Sequence, residues 1–146
     1  MKNKKTGFSL VEIMVVIGII IIFSLVSLPL IAQYQKTTKL KNEAQVLVTN
    51  LRLAQQLAVT EQVIYQLKLY PATKSYKIVN SASGAIIKTV NLNAEVSISS
   101  VSGFTSNTIQ FTATGSAVQT GSITLSNTNN EQQILQIKPS GYVQLN

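Results

Sequence analysis

The sequence predicts an α+β fold. A long N-terminal helix, one half suited to a membrane and one half amphipathic, packs on a C-terminal antiparallel β-sheet head. Three observations carry this expectation. Residues 13–35 contain no charged side chain, and residues 13–32 are almost continuously apolar. From Leu40 the apolar positions Leu40, Ala44, Leu47, Leu51, Ala54 and Ala58 step alternately by four and three, widened by Val48 and Leu57, as on one face of a helix. After Glu61 the period falls to two, the spacing of a half-buried strand.

Each element follows in order. About 20 apolar residues at 1.5 Å rise cross the roughly 30 Å hydrocarbon core of a bilayer. A core helix in a chain of 146 residues could not be apolar all round over that length, because only one stripe can face the core. Lys2, Lys4 and Lys5 precede the run and keep the N-terminus on the cytoplasmic side, with the remainder outside. The apolar run is too long for a cleaved secretory signal, and Leu30-Ile31-Ala32 is a poor small-x-small site. Helix is predicted from Phe8 to about Glu61, with Pro29 as the expected kink, although spanning helices also tolerate proline.

Strands are predicted at residues 63–70, 76–80, 85–92, 95–101, 108–113, 122–126, 133–138 and 142–145. Turn residues separate them, including Gly84, Gly103, Gly115, Gly121 and Gly141. They form one antiparallel sheet or two small ones, and the stripe at residues 40–58 is the only helix available to cover a face. The expected organisation is a leader (1–7), a transmembrane and assembly helix (8–35) and a head (36–146). Within the head, residues 36–61 form an amphipathic helix and residues 62–146 a β-domain.

Composition excludes most chemistry. Charged residues are 12% of the chain, about half the fraction of an average soluble domain. There is no Cys, His or Asp and there are only five Glu, so thiolate and imidazole metal ligands, Cys nucleophiles and His-based triads are excluded. No G-x-S-x-G, Ser-x-x-Lys or glycine-rich phosphate loop occurs, and no clustered carboxylates could hold Ca²⁺. No enzyme, metal or cofactor is expected. Three of the basic residues behind the formal charge of +7 belong to the leader.

Glu12 stands out as a carboxylate at the edge of a spanning helix. It costs a few kcal/mol to insert unless it finds a positive partner at similar depth, or reaches the cytoplasmic interface. The string Lys4-Lys5-Thr6-Gly7-Phe8-Ser9-Leu10-Val11-Glu12-Ile13-Met14-Val15-Val16 resembles the class III signal of type IV prepilins and type II secretion pseudopilins. The resemblance covers the leader and the whole apolar span, and implies a pilin-like fold. It also implies that prepilin peptidase cuts between Gly7 and Phe8 and N-methylates Phe8. Glu12 would then pair with the Phe8 amine of a neighbouring subunit and set the register of assembly. The implied location is the inner membrane as a single-pass protein with the head outside, then a pilus or pseudopilus.

A narrower resemblance covers the head. The segments Ile109-Gln110-Phe111-Thr112-Ala113-Thr114-Gly115, Gly121-Ser122-Ile123-Thr124-Leu125 and the run from Ile134 to Val143 through Lys138-Pro139-Ser140-Gly141 are similar to the H-type pseudopilins. That family includes FimT-like minor pilins, and the helix segment Leu51-Arg52-Leu53-Ala54-Gln55-Gln56-Leu57-Ala58 is similar to theirs. The implied function is a minor structural subunit of a type IV pilus or type II secretion-like filament, whose partners are other pilin subunits met through the N-terminal helix. Some FimT-like members bind DNA through basic residues after the final turn glycine. Here Gly141-Tyr142-Val143-Gln144 has no arginine, leaving Lys138 for one phosphate and Tyr142 for one stacking face. A DNA-binding minor pilin for DNA uptake is the first alternative. A signal-anchored β-domain protein with another partner is the second.

Overall fold

A computed structural model describes residues 8–146, apart from the side chains of residues 26–30 and 32. Helix α1 spans Leu10–Glu61, and eight strands follow. The chain divides into a unit ending at Gln35 and a second unit, Lys36–Asn146.

In the first unit, the large apolar side chains from Leu10 to Leu25 are exposed on every side of the helix, between 48% and 75%. Among the described residues, no helix is long and apolar enough to cross a membrane. The predicted apolar run includes residues 26–30 and 32, whose side chains lie outside the described set. Helix continues through Pro29, and the predicted kink there also concerns an undescribed side chain.

In the second unit the four-three stripe is the core face of α1. Leu40, Ala44, Leu47, Val48, Leu51, Ala54 and Ala58 are all buried, with Leu57 packed partly against them. The helix ends where Gln62 adopts a left-handed φ of 56° and its Nε2 donates to the carbonyl of Val59 at 2.6 Å. Those two features satisfy a terminal carbonyl and turn the chain out of the helix.

The strands are β1 (Tyr65–Tyr70), β2 (Ser75–Asn80), β3 (Ile86–Asn91), β4 (Val96–Ser102), β5 (Thr108–Phe111), β6 (Gly121–Asn127), β7 (Gln132–Ile137) and β8 (Val143–Leu145). All eight predicted segments appear, with shifted ends. β1 starts at Tyr65 because Gln62 ends the helix just before it. β5 stops at Phe111 because the Thr112 amide turns to the Ser116 carbonyl at 2.9 Å. The strands form two antiparallel sheets of four, ordered β3-β2-β1-β5 and β4-β6-β7-β8. Alternate residues point inward: Tyr65, Leu67 and Leu69 on β1, Ile123 and Leu125 on β6, Leu135 and Ile137 on β7. With the α1 stripe they make one core cluster.

Asn50, Ser75, Thr108 and Asn127 are the buried polar residues among those described. Asn50, 2% exposed, donates through Nδ2 to the Tyr76 hydroxyl at 2.7 Å and accepts from Lys88 Nζ at 3.0 Å. Burial pushes the Tyr76 phenol up to about 12, opposed by the Asn50 hydrogen bond. The folded protein therefore keeps a proton that the unfolded chain releases near its ordinary value of 10.0. Stability from this group is complete below pH 10.0 and falls as pH rises through about 12. Spectrophotometric titration should show a late tyrosine ionisation near pH 12 that Tyr76→Phe removes; ionisation of Tyr76 with the exposed tyrosines would refute it.

Candidate assembly site

The first turn of α1 is built by its own sequence. The Ser9 carbonyl accepts from the amides of Glu12 at 3.1 Å and Ile13 at 3.2 Å, which puts Ser9 at the N-cap and Glu12 at the third helical position. Ser9-x-x-Glu12 has the spacing of a capping box, and a carboxylate in the first turn complements the helix dipole. Glu12 is exposed, and its carboxylate makes no hydrogen bond or ion pair among the described residues. A cleft of about 320 Å³ is lined by Phe8, Glu12, Ile13, Val16 and Ile17. The geometry thus brings together two of the sequence-nominated residues, Phe8 and Glu12, on an otherwise apolar face. Gly7, Lys2, Lys4 and Lys5 lie outside the described residues.

The head carries two further features that the sequence did not disclose. Polar side chains fasten the helix at its first head residues. Lys39 Nζ meets Glu95 Oε2 at 2.8 Å, Thr37 Oγ1 donates to Glu131 Oε2 at 2.8 Å, and Lys36 Nζ donates to Asn129 Oδ1 at 3.3 Å. The Asn93 amide donates to Glu43 Oε1 at 3.1 Å. The hydrogen bond from Lys39 holds the Glu95 carboxyl below its ordinary value. These contacts join residues 50 to 94 positions apart, so no local pattern announces them.

The second feature is a junction of three backbones. Gln55 Nε2 donates to the Gly115 carbonyl at 2.7 Å and approaches the Ser140 carbonyl at 3.4 Å. The Gly115 carbonyl presses against Gly141, whose φ is +79°. Gly141 is therefore required by close approach as well as by φ.

Lys138 and Tyr142 face each other across the β7–β8 turn, where the Lys138 amide donates to the Tyr142 carbonyl at 2.9 Å. Both side chains are exposed, Tyr142 by 55%. Among the described residues no group of carboxylates could hold a metal ion.

No curated protein matches the sequence. Among solved structures, the type IV minor pilin FimU of Pseudomonas aeruginosa is similar with a TM-score of 0.63 at 19% identity, covering 77% of this chain and 92% of that one. The minor pseudopilin EpsH from the type 2 secretion system of Vibrio cholerae gives a TM-score of 0.62 at 12% identity, covering 74% and 96%. Both likenesses show the pilin-like fold that the sequence predicted. Residues 2–28 match the prokaryotic N-terminal methylation motif. Residues 43–141 match the Type II transport protein GspH, and the chain belongs to that family.

Proposed function

We propose that this subunit is made as a single-pass inner-membrane protein, with its N-terminus cytoplasmic and its head outside. Prepilin peptidase cuts between Gly7 and Phe8 and methylates the new Phe8 amine, and the mature chain moves from the membrane into a filament. Loss of the leader removes Lys2, Lys4 and Lys5 and leaves a positive charge at Phe8. That charge is the partner Glu12 lacks. In a packed bundle of apolar helices an unmatched carboxylate is costly, and a matched one selects the register of the incoming subunit. The chain is a structural part of the machine and performs no chemistry itself.

One observation carries this reading. The helix from Leu10 to Leu25 presents large apolar side chains in every direction, and Glu12 is the only charge between Phe8 and Gln35. Such a surface cannot rest in water and needs lipid or other helices around it. N-terminal mass spectrometry of the protein from native membranes tests the assignment. The expected mature chain starts at Phe8 and carries one added methyl group. An intact Met1, or a cut near Ala32, would overturn it and favour a simple signal anchor.

A further inference from the structure

Across β4, β6 and β7 the outer face of the second sheet carries no charged side chain. Its cross-strand rows run Ser100–Thr124–Ile134 and Ser102–Ser122–Gln136, with a third row centred on Ser126. Ile123 and Leu125, between them on β6, point into the core. The outer face is therefore built of hydroxyl and amide groups around one isoleucine. From Val96 to Ile137 the only charged residue is Glu131, which sits in the β6–β7 turn, off the rows. A stretch of that length in an average soluble domain would hold about ten.

The first sheet is the opposite case. On its outer face Lys68 of β1 stands directly across from Lys77 of β2. Lys77 Nζ lies 5.4 Å from the centre of the Tyr70 ring, and among the described residues no carboxylate pairs with either lysine. Like charges directly opposite repel, and taking them out of water without a counter-charge costs far more than taking out hydroxyls. One face of the head thus suits solvent and the other suits contact. We propose that the uncharged face of β4, β6 and β7 packs against the head of a neighbouring filament subunit, through a surface that is itself uncharged. This rests on the filament assembly proposed above.

Chemistry and area together select the occupant. A nucleic acid or an anionic lipid surface needs cations, and the rows hold none. Arg52, the only arginine of the chain, lies elsewhere, in a groove of about 380 Å³ between β8 and α1. Lipid tails would strip the hydroxyl and amide groups of their hydrogen bonds. A charged protein surface would lose its water and find no counter-charge. No aromatic ring stands in the rows for a base to stack on. A neutral polar protein surface meets none of these objections, and area selects a tethered one. Three rows about 7 Å apart, on strands about 4.8 Å apart, make a face roughly 15–20 Å on a side. That is half or less of the about 800 Å² that each partner buries in a stable free complex. A head whose own helix is already held in the bundle needs no more, because the tether supplies a high local concentration.

Because the chain has no Cys, single cysteines report on the face directly. The test compares Ser100→Cys and Gln136→Cys, on the uncharged face, with Thr89→Cys, which stands across from Lys77 on the other sheet. All three positions are exposed in the single chain. A maleimide-polyethylene glycol should label the first two about tenfold more slowly in sheared filaments than in detergent micelles, and Thr89→Cys equally in both. Ser122→Lys should lower filament recovery about tenfold with cleavage and melting temperature retained, whereas Gln66→Glu on the other sheet should leave recovery unchanged. Equal labelling of Ser100→Cys and Gln136→Cys in the two states would overturn the proposal, as would equal protection of Thr89→Cys. Immunoblotting of the sheared fraction separates this from failure of the filament assignment. A chain present in filaments but freely labelled refutes only the buried face, and a chain absent from them refutes both.

Discussion

Glu12→Leu is expected to leave the protein inserted and cleaved but to lower its recovery in sheared filaments about a hundredfold. The physical reason is the partner it leaves behind. In the proposed assembly each mature neighbour brings a charged Phe8 amine into a layer of apolar helices. Removing one member of a buried ion pair costs about 3–5 kcal/mol, because the other charge remains without compensation. Each 1.4 kcal/mol is a factor of ten in an equilibrium, so a hundredfold loss needs only the lower end of that range. Membrane insertion is unharmed, since leucine is favourable at the position where glutamate is costly. Glu12→Gln keeps the size and polarity but not the charge, and should fail nearly as badly. Quantitative immunoblotting of sheared filaments against total membrane protein reads the effect. Recovery of either variant at the unaltered level would remove Glu12 from assembly and leave it only its place in the first turn of α1.

Gly141→Ala should be the most damaging single methyl group in the head. Two costs act together. The backbone at φ +79° disfavours any side chain by about 1–2 kcal/mol, and the added carbon would collide with the Gly115 carbonyl and the Gln55 amide. Neither neighbour can retreat freely, because Gln55 Nε2 already donates to that same carbonyl at 2.7 Å. Overpacking adds about 1–3 kcal/mol, so a total near 3 kcal/mol is expected. For a head of this size that lowers the melting temperature by roughly 10 °C or more. Gly84→Ala is the matched comparison. Its φ of +71° carries the same backbone cost, but nothing lies within 4 Å of the new carbon. It should lose only about 1 kcal/mol. Equal melting temperatures for the two variants would show that close approach at the Gly115–Gly141 junction contributes nothing.

Much of the fold was readable from spacing. The stripe at Leu40, Ala44, Leu47, Leu51, Ala54 and Ala58 is the buried face of α1, because a helix repeats its facing every 3.6 residues. The alternation of Tyr65, Leu67 and Leu69 gives the inner face of β1 for the matching reason at period two. Strand ends were less readable. Gln62, a residue with no special claim to a left-handed backbone, ends α1 through a side-chain hydrogen bond to Val59. At the N-terminus the motif nominated Phe8 and Glu12, and the structure adds that Glu12 occupies the third position of a helix capped at Ser9.

The head's polar contacts were not legible. Glu95 and Glu131 each meet a side chain on α1 far away in the chain. The place of Arg52 beside the edge of β8 depends on how the last strand pairs. By itself the sequence determined the class of the molecule: an apolar helical half with one carboxylate, an amphipathic half and eight short strands, with most chemistry excluded by the missing Cys, His and Asp. Periodicity and composition are properties of neighbouring residues, so they survive without a structure. Only the tertiary structure decided the division into two sheets, the convergence of Gln55, Gly115 and Gly141, and the groove between β8 and α1. Those depend on strand order and register between segments tens of residues apart, and the small energies that select them leave no repeating mark along the chain.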